Sequence, residues 1–497
     1  MPNVGFVRPE IAKLLPLYYL IRDAIAGEVT VKHARTKYLP MPNATDKSPE
    51  NKERYEAYLT RAVFYNVARR TLLGLMGQVF MRDPVIQVPK LLDPIIANST
   101  GTGVNINQLA KRAVNYNLAY SRTGIFVDYP VTDSDGASIA ELESGRIRPT
   151  LSIYAPNEII NWRTTNIGAE EVISLVVVYE LWAIDDDGFE LTNSGQFRVM
   201  RLDENGEYVL EIWREPSPTR ADGLQVPRGN FELNTIYRPR DVNGNPMREI
   251  PFMFIGSENN DPSPDNPNFY DLASLNMAHY RNSADYEEST YIVGQPTPVV
   301  VGLTEEWVKN VMNGVIAFGS RGGIPLPTGA DAKLIQAAPN TMIKEAMDTK
   351  ERQMVALGAR LVEQHEVQRT ATEAELESTS EGSNLVSVTR NVSEAFEWAL
   401  KFAARWIGQS DSTIKFELNT DFDISRISPE ERRQVIDEWQ KGAITFTEMR
   451  TSLRKAGVAI EDDAKAKGDI AKDQEAQIAM AMTIESDDDA SDKPENS

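Results

Sequence analysis

Between Phe269 and Gly408 the chain runs helix, short α/β insert, helix, polar loop, long helix, and this order restricts the architecture more than any single motif does. The first helix reads Asp271 to Glu288 (DLASLNMAHYRNSADYEE). The insert opens at Gly294-Gln295-Pro296-Thr297-Pro298, where glycine and prolines stop a helix, and closes near Pro339. The second helix starts at about Asn340 and carries Ile343, Met347, Lys350, Met354, Leu357 and Leu361. Steps of three and four place these on one stripe. A polar run, EQHEVQRTATEAELE, begins at Glu363. Leu385, Val388, Val392, Phe396, Ala399, Ala403 and Trp406 then mark a third helix with a strong apolar face. It starts at Thr370 or Asn384, with Gly382 a candidate kink, and beyond Asn384 it spans about 35 Å at ~1.5 Å per residue.

The insert holds two apolar stretches, Val299–Val301 and Val315–Phe318, read as strands flanking a short helix that Thr304 caps. A strand–helix–strand unit of this size buries little core alone, so it is expected to pack against copies of itself.

Upstream the periodicity differs. Residues 1–40 read as loosely packed, with one short helix near Ile11–Ile25, and Pro40 to Pro49 as a turn-rich linker. Asn51 to Gly77 reads as one helix, because Tyr55, Tyr58, Leu59, Ala62, Val63 and Val67 recur at three and four. Phe64 and Tyr65 are expected in its core packing. Gln108 to Ser121 is another helix. From Arg122 the period becomes two, giving strands at Gly124–Tyr129, Thr150–Tyr154, Val172–Ile184, Gln196–Leu202 and Tyr208–Arg214. Asp185-Asp186-Asp187-Gly188 and Asp203-Glu204-Asn205-Gly206 lie between them, and such runs supply hairpin turns, so the sheet is expected to be antiparallel. These runs lack the ligand spacing of an EF-hand. Ser257 to Pro267 is a breaker cluster leading into the first helix of the interrupted pair.

Downstream, Ser428-Pro429-Glu430-Glu431 and Thr445-Phe446-Thr447-Glu448 are capping boxes opening two helices, with Gly442 and Gly457 at their ends. From Glu461 to Ser497 there are 12 acidic and 4 basic residues, which predicts an acidic tail, largely disordered, with room for one short helix around Ala464–Ile484.

Composition excludes several chemistries. There is no cysteine, so disulfides and thiolate metal sites are ruled out. The three histidines, His33, His279 and His365, have no metal-binding spacing, and His279 is expected to be packed or solvated. There is no Walker A loop and no Gly-x-Ser-x-Gly elbow. The N-terminus lacks the apolar core of a signal peptide, and no apolar run is long enough to span a membrane. The 52 basic and 73 acidic residues leave a net charge of −21, which argues against tight DNA binding and is compatible with a surface that repels phosphate, or simply with solubility.

Two stretches carry a family resemblance: PTPVVVGLTEEWVKNVMNGVIAFGS in the insert, and Arg369-Thr370-Ala371-Thr372-Glu373-Ala374 after the second helix. Together with the element order, they make the chain resemble the portal proteins of tailed bacteriophages, over most of its length and best from about residue 250 to 460. The resemblance implies an α+β protein: a mixed α/β wing with antiparallel strands, a helical stem interrupted by a small α/β clip, a long helix and a short helical C-terminal region. On that reading residues 1–50 are an N-terminal arm and linker, and 51–268 the wing. The first stem helix is 269–290, the clip 291–339, the second stem helix 340–357, the tunnel loop 358–369 and the long helix 370–408. Residues 409–460 form the C-terminal wing or crown base, and 461–497 the acidic tail.

The resemblance also implies a role. A ring of about twelve copies would surround an axial channel at a capsid vertex, assembled in the host cytoplasm. Its partners would be major capsid and scaffolding proteins, the terminase large subunit, and later head-completion or tail proteins. Double-stranded DNA would be held weakly and without sequence preference. In the tunnel loop Glu363, Gln364, His365, Glu366, Gln368 and Arg369 would face or flank the duplex, with Gly358 easing the turn into it. Lys344 and Lys350 on the second stem helix would face the channel, and Trp307, Lys309 and Arg321 would serve clip docking. The basic residues Arg352 and Arg360 lie in the same region, and Asp348–Arg352 has the spacing of an ordinary helix ion pair. The role needs no catalytic residue, cofactor or metal. The alternatives are another phage head or tail structural protein, which does not require the interrupted helix pair, or a carbohydrate-active enzyme, which requires two converging carboxylates in an aromatic cleft.

Overall fold

The computed structural model describes residues 3–129, 147–216, 229–241, 244–294, 297–311, 326–335, 341–358, 371–420, 429–455 and a few positions between 422 and 472. The chain divides into two compact units, Met1–Thr420 and Asp421–Ser497. The architecture is α+β with antiparallel sheets, as the hairpin turns and period-two segments predict.

In the first unit, α1 (Pro9–Ala26) and α2 (Glu28–His33) lead to α3 (Pro49–Arg61) and α4 (Val67–Val79). After β1 (Val85–Gln87) come α5 (Asp93–Ala97) and α6 (Ile106–Tyr120). The N-terminal segment is not loosely packed. Ile11, Tyr18, Ile21 and Val31 are buried, and the Arg8 guanidinium lies 4.2 Å from the Trp162 ring while donating to the Trp162 carbonyl at 2.9 Å. Apolar residues spaced for one helix face were there, but charged neighbours obscured them. A capping box opens α6: the Asn105 side chain accepts from Gln108 N, and Gln108 reaches back to Asn105 N.

The expected single helix over 51–77 is two helices. The chain breaks at Ala62, whose ψ is 136°, and restarts when Asn66 Oδ1 accepts from Arg69 N at 2.9 Å. No proline or glycine marks this break; tertiary hydrogen bonds make it, as described below.

Strand β2 (Arg122–Asp128) lies between β3 (Thr150–Tyr154) and β9 (Phe252–Gly256) in a three-stranded antiparallel sheet. A five-stranded meander follows chain order: β4 (Ile159–Ile167), β5 (Glu170–Asp186), β6 (Leu191–Leu202), β7 (Tyr208–Arg214) and β8 (Glu232–Tyr237). Turn chemistry sets the registers. Asp203 Oδ1 accepts from Asn205 N and Glu207 N and closes the β6–β7 turn. Ile11, Phe126, Trp162, Met200, Tyr208, Phe252 and Phe254 share one core that joins α1 to both sheets. Each such side chain contributes roughly 1.5–3 kcal/mol on burial.

Three elements then make the interrupted pair: α7 (Tyr270–Gly294), a hairpin of β10 (Thr297–Val301) with β11 (Asp331–Ile335) that encloses α8 (Glu305–Asn310), and α9 (Thr341–Ala356). The long helix α10 (Ala371–Trp406) follows, and β12 (Lys415–Glu417) pairs back onto β1. In α10 all seven positions of the predicted stripe, from Leu385 to Trp406, are buried. The helix runs through Gly382 without a break, and its 36 residues span about 54 Å at ~1.5 Å each. Phe396 stacks on Phe416 at 5.0 Å, and Trp406 Nε1 donates to the Arg240 carbonyl at 2.9 Å.

The second unit contains α11 (Pro429–Gln440) and α12 (Phe446–Lys455). The Thr445 box is formed: Thr445 Oγ1 accepts from Glu448 N, and Glu448 Oε2 accepts from Thr445 N at 2.7 Å. Met449, Leu453 and Ala459 make its small core. The expected tail helix is described only at 465–470 and 472, and the remainder, with Ser428 and Gly457, lies outside the described residues.

Candidate functional site

Helix α7 is half rooted and half projecting. Its entry is fixed by the breaker cluster, where Asp265 Oδ2 accepts from Ser257 N at 2.7 Å and Glu258 N at 3.0 Å. Leu272, Ala273, Met277, Tyr280 and Ala284 are buried at helical spacing and face the body. Polar side chains on that face bind the break between α3 and α4. Asn276 Oδ1 accepts from Val67 N (3.1 Å) and Ala68 N (3.2 Å), and its amide donates to the Tyr65 carbonyl at 2.8 Å. Ser283 Oγ accepts from Val63 N at 3.1 Å. Phe64 is buried edge-on to Tyr280, as expected of core packing, whereas Tyr65 is 46% exposed beside His279. Asn276 and Ser283, seven residues apart within an apolar stripe, were the sequence signal for this clamp.

Beyond Ala284 the burial ends. Tyr58 donates to Asp285 at 2.6 Å, and Arg61 and Arg54 pair with Glu288. Tyr291 and Ile292 are then half exposed. The hairpin continues from this end in the register Thr297↔Ile335 to Val301↔Asp331. Thr304 caps α8 as predicted, its Oγ1 accepting from Trp307 N at 3.3 Å. Trp307 is half-buried and Lys309 exposed. The partner of β10 is Asp331–Ile335; the predicted strand Val315–Phe318, and Arg321 with it, fall outside the described residues.

Helix α9 packs along α7. Ile343, Met347 and Lys350 are half-buried and Met354 fully buried, so the stripe lies in the contact. It does not extend through Leu357, which is 50% exposed, because the helix ends at Ala356 and Gly358 takes φ +128°. That left-handed backbone favours glycine. Lys344 lies on the exposed face and Lys350 in the stripe, so the two do not share one surface. Arg352 donates to the Asp348 carbonyl and to Thr349 rather than pairing with the Asp348 carboxylate. His279 is buried, with Nε2 3.2 Å from Glu351 Oε1 of α9, so it ties the two helices together. The six loop positions Glu363, Gln364, His365, Glu366, Gln368 and Arg369, together with Leu361 and Arg360, lie outside the described residues.

The carboxylates that do converge are partly buried and held in ion pairs. Arg198 bridges Glu180 (3.1 Å) and Asp128 (3.2 Å), and Tyr154 Oη donates to Glu180 at 3.3 Å. Burial raises the Asp128 carboxyl, and burial with the nearby Glu180 pushes Glu158 up to about 7. An open groove lined by Ile86, Gln87, Val88, Asp93, Ile96 and Thr413 contains one carboxylate and no aromatic ring. Among the described residues no three His, Cys, Asp or Glu side chains gather as a metal site, and no helix is long and apolar enough to cross a membrane.

Residues 268–407 match a family described as a domain of unknown function, DUF4055. That segment begins just before α7 and ends just after α10. No curated protein matches the chain. Similar solved chains occur in a virion of a native gene transfer agent particle (13% identity, TM-score 0.40, 78% of this chain and 89% of that one). Another is in the neck of an empty particle of that kind, computed with C6 symmetry (13% identity, TM-score 0.41, 78% and 90%). At that level of similarity the role of those chains does not carry over.

Proposed function

We propose that this chain is a portal-type subunit: about twelve copies close into a ring at the vertex of a tailed-phage-like head, and DNA passes along the axis. The return path through α7, the hairpin and α9 carries the reading. Half of α7 is anchored in the body, and the other half leaves it with Tyr291, Ile292, Val301, Val311 and Met342 exposed toward the hairpin end. Apolar side chains in such a position are covered when copies stand side by side, and a head-to-tail contact repeated by rotation closes a ring.

On this reading the chain is a virion component without catalytic chemistry. The sheets and α10 form the body that meets capsid and scaffolding proteins. The hairpin, with Trp307, Lys309 and Arg321, meets the terminase large subunit and then head-completion or tail proteins. Repetition turns the exposed Lys344 into a band of charge around the channel, while Lys350 lies in the stripe against α7. The loop with Glu363, Gln364, His365, Glu366, Gln368 and Arg369 comes nearest the duplex and meets only its backbone, since a channel must pass every sequence. A net charge of −21 per copy makes DNA affinity weak and dependent on salt.

Two measurements test this. Negative-stain images of the purified chain should show end-on rings with a central hole; a 55.5 kDa monomer that persists alone and with head proteins refutes the reading. Deleting Val362 to Gln368 should leave rings intact and heads poor in DNA. Filled heads at wild-type levels refute the role of the loop, and loss of rings assigns it to assembly instead.

A further inference from the structure

The tip of the β5–β6 hairpin stands apart from the sheet that carries it. Strand β4 pairs with β5 no further than Val178, and β7 meets β6 only from Gln196 onward. Among the described residues the segment from Leu181 to Gly195 is therefore a two-stranded ribbon with no third strand, in the register Leu181↔Gly195 to Asp186↔Leu191. Such a ribbon is marginal in water unless something stiffens it. Here the root is held: the Arg214 guanidinium lies 3.6 Å from the Trp182 ring centre, and Gln196 and Arg198 donate to Glu180 at 2.7 and 3.1 Å.

The tip is also preformed. Asp186 Oδ1 accepts from Gly188 N at 2.9 Å, and Asp187 Oδ1 accepts from Phe189 N (2.8 Å) and Glu190 N (2.6 Å). Gly188 supplies the positive φ of the turn. These bonds hold Phe189 wholly in solvent at 100% exposure, with Leu191 beside it at 54%. The turn itself does not require an aromatic side chain, since its geometry rests on aspartate and glycine. Charge surrounds the ring: Asp185, Asp186, Asp187 and Glu190 lie within six residues, and no lysine or arginine occurs between Glu180 and Gly195.

We infer that this tip is a docking arm for a different protein, one whose surface offers an apolar pocket rimmed by lysine and arginine. The phenyl ring fills the pocket as a rigid anchor, and the carboxylates meet the rim. Preformation lowers the entropy lost on docking. Charge selects the partner: a second copy of this chain carries −21 and offers the tip a repulsive surface on average.

The test is photo-crosslinking in cells that produce the full chain, with Phe189→p-benzoylphenylalanine as the probe and Ile167→p-benzoylphenylalanine, at the exposed turn at the opposite end of β5, as control. The expected result is one adduct from position 189 to another polypeptide, absent from position 167, whose linked peptide contains lysine or arginine beside apolar residues. Adding Asp185→Lys, whose side chain does not brace the turn, should cut the adduct about tenfold. Adducts only to a second copy of this chain, no adduct, or a yield indifferent to Asp185→Lys each overturn the inference. Whether the chain sediments with particles is scored separately and tests the channel reading alone.

Discussion

Glu158 lies at the turn between β3 and β4, where its Oε2 accepts from Ala155 N at 2.7 Å. Burial raises its carboxyl and the charge of Glu180 adds to that; the Ala155 N–H and Arg112 pull the other way, and the balance stands at about 7 against an ordinary 4.5. Between those two values the unfolded chain has released this proton and the folded chain has kept it. The folded state then binds more protons, so stability falls as pH rises from about 4.5 to about 7 and is level above. A gap of about 2.5 pH units at ~1.36 kcal/mol each is roughly 3 kcal/mol, and partial solvent access reduces it to about 2–3 kcal/mol. Glu158→Gln keeps an acceptor for Ala155 N and cannot ionise. The variant should equal the wild type below pH 4.5 and be about 2–3 kcal/mol more stable at pH 8. Urea titrations followed by tryptophan fluorescence from pH 4 to 8 measure this, since carboxylates common to both chains cancel in the difference. A wild-type-minus-variant difference that is flat across the window would refute the argument.

Three further outcomes follow from the geometry. Asn276→Leu leaves the buried Ala68 N–H without its acceptor, and Val67 N–H with only the Tyr65 carbonyl, and should cost about 1–3 kcal/mol, with faster hydrogen exchange across residues 62–68 and not at β2. Trp307→Ala should reduce ring assembly or partner docking while leaving the thermal unfolding of the sheets in place; normal rings, packaging and tail attachment would remove the role given to the hairpin. Thr445→Ala breaks the capping box of α12 and should cost the second unit about 1 kcal/mol, seen as an earlier loss of helical circular dichroism in that unit.

Elements whose periodicity is strong and local were legible along the linear chain. The stripe from Leu385 to Trp406 is buried throughout because seven apolar side chains on one helix face have nowhere else to go. The Asp-Gly and Asn-Gly runs set the antiparallel meander because a tight turn leaves its flanking strands no other partner so near. The Thr304 and Thr445 caps were legible for the same reason: donor and acceptor lie within three residues. The order of helix, insert and helix, which carries the functional reading, is likewise a property of the linear chain. What lay beyond the sequence was every feature made by residues far apart in it. The break after Arg61 contains no breaker residue and exists because Asn276 and Ser283, more than 200 positions away, bind its amides. The pairing of β10 with Asp331–Ile335 was not legible, because strand partners are selected by tertiary register and not by local pattern. Glu158 reads as an ordinary surface acid until folding encloses it near Glu180, and Phe189 as an ordinary turn neighbour until the sheet withdraws on both sides of it. Local hydrogen-bond chemistry and periodicity act over a few residues and can be read in one dimension. Burial, desolvation and exposure depend on what the rest of the chain brings alongside once it has folded.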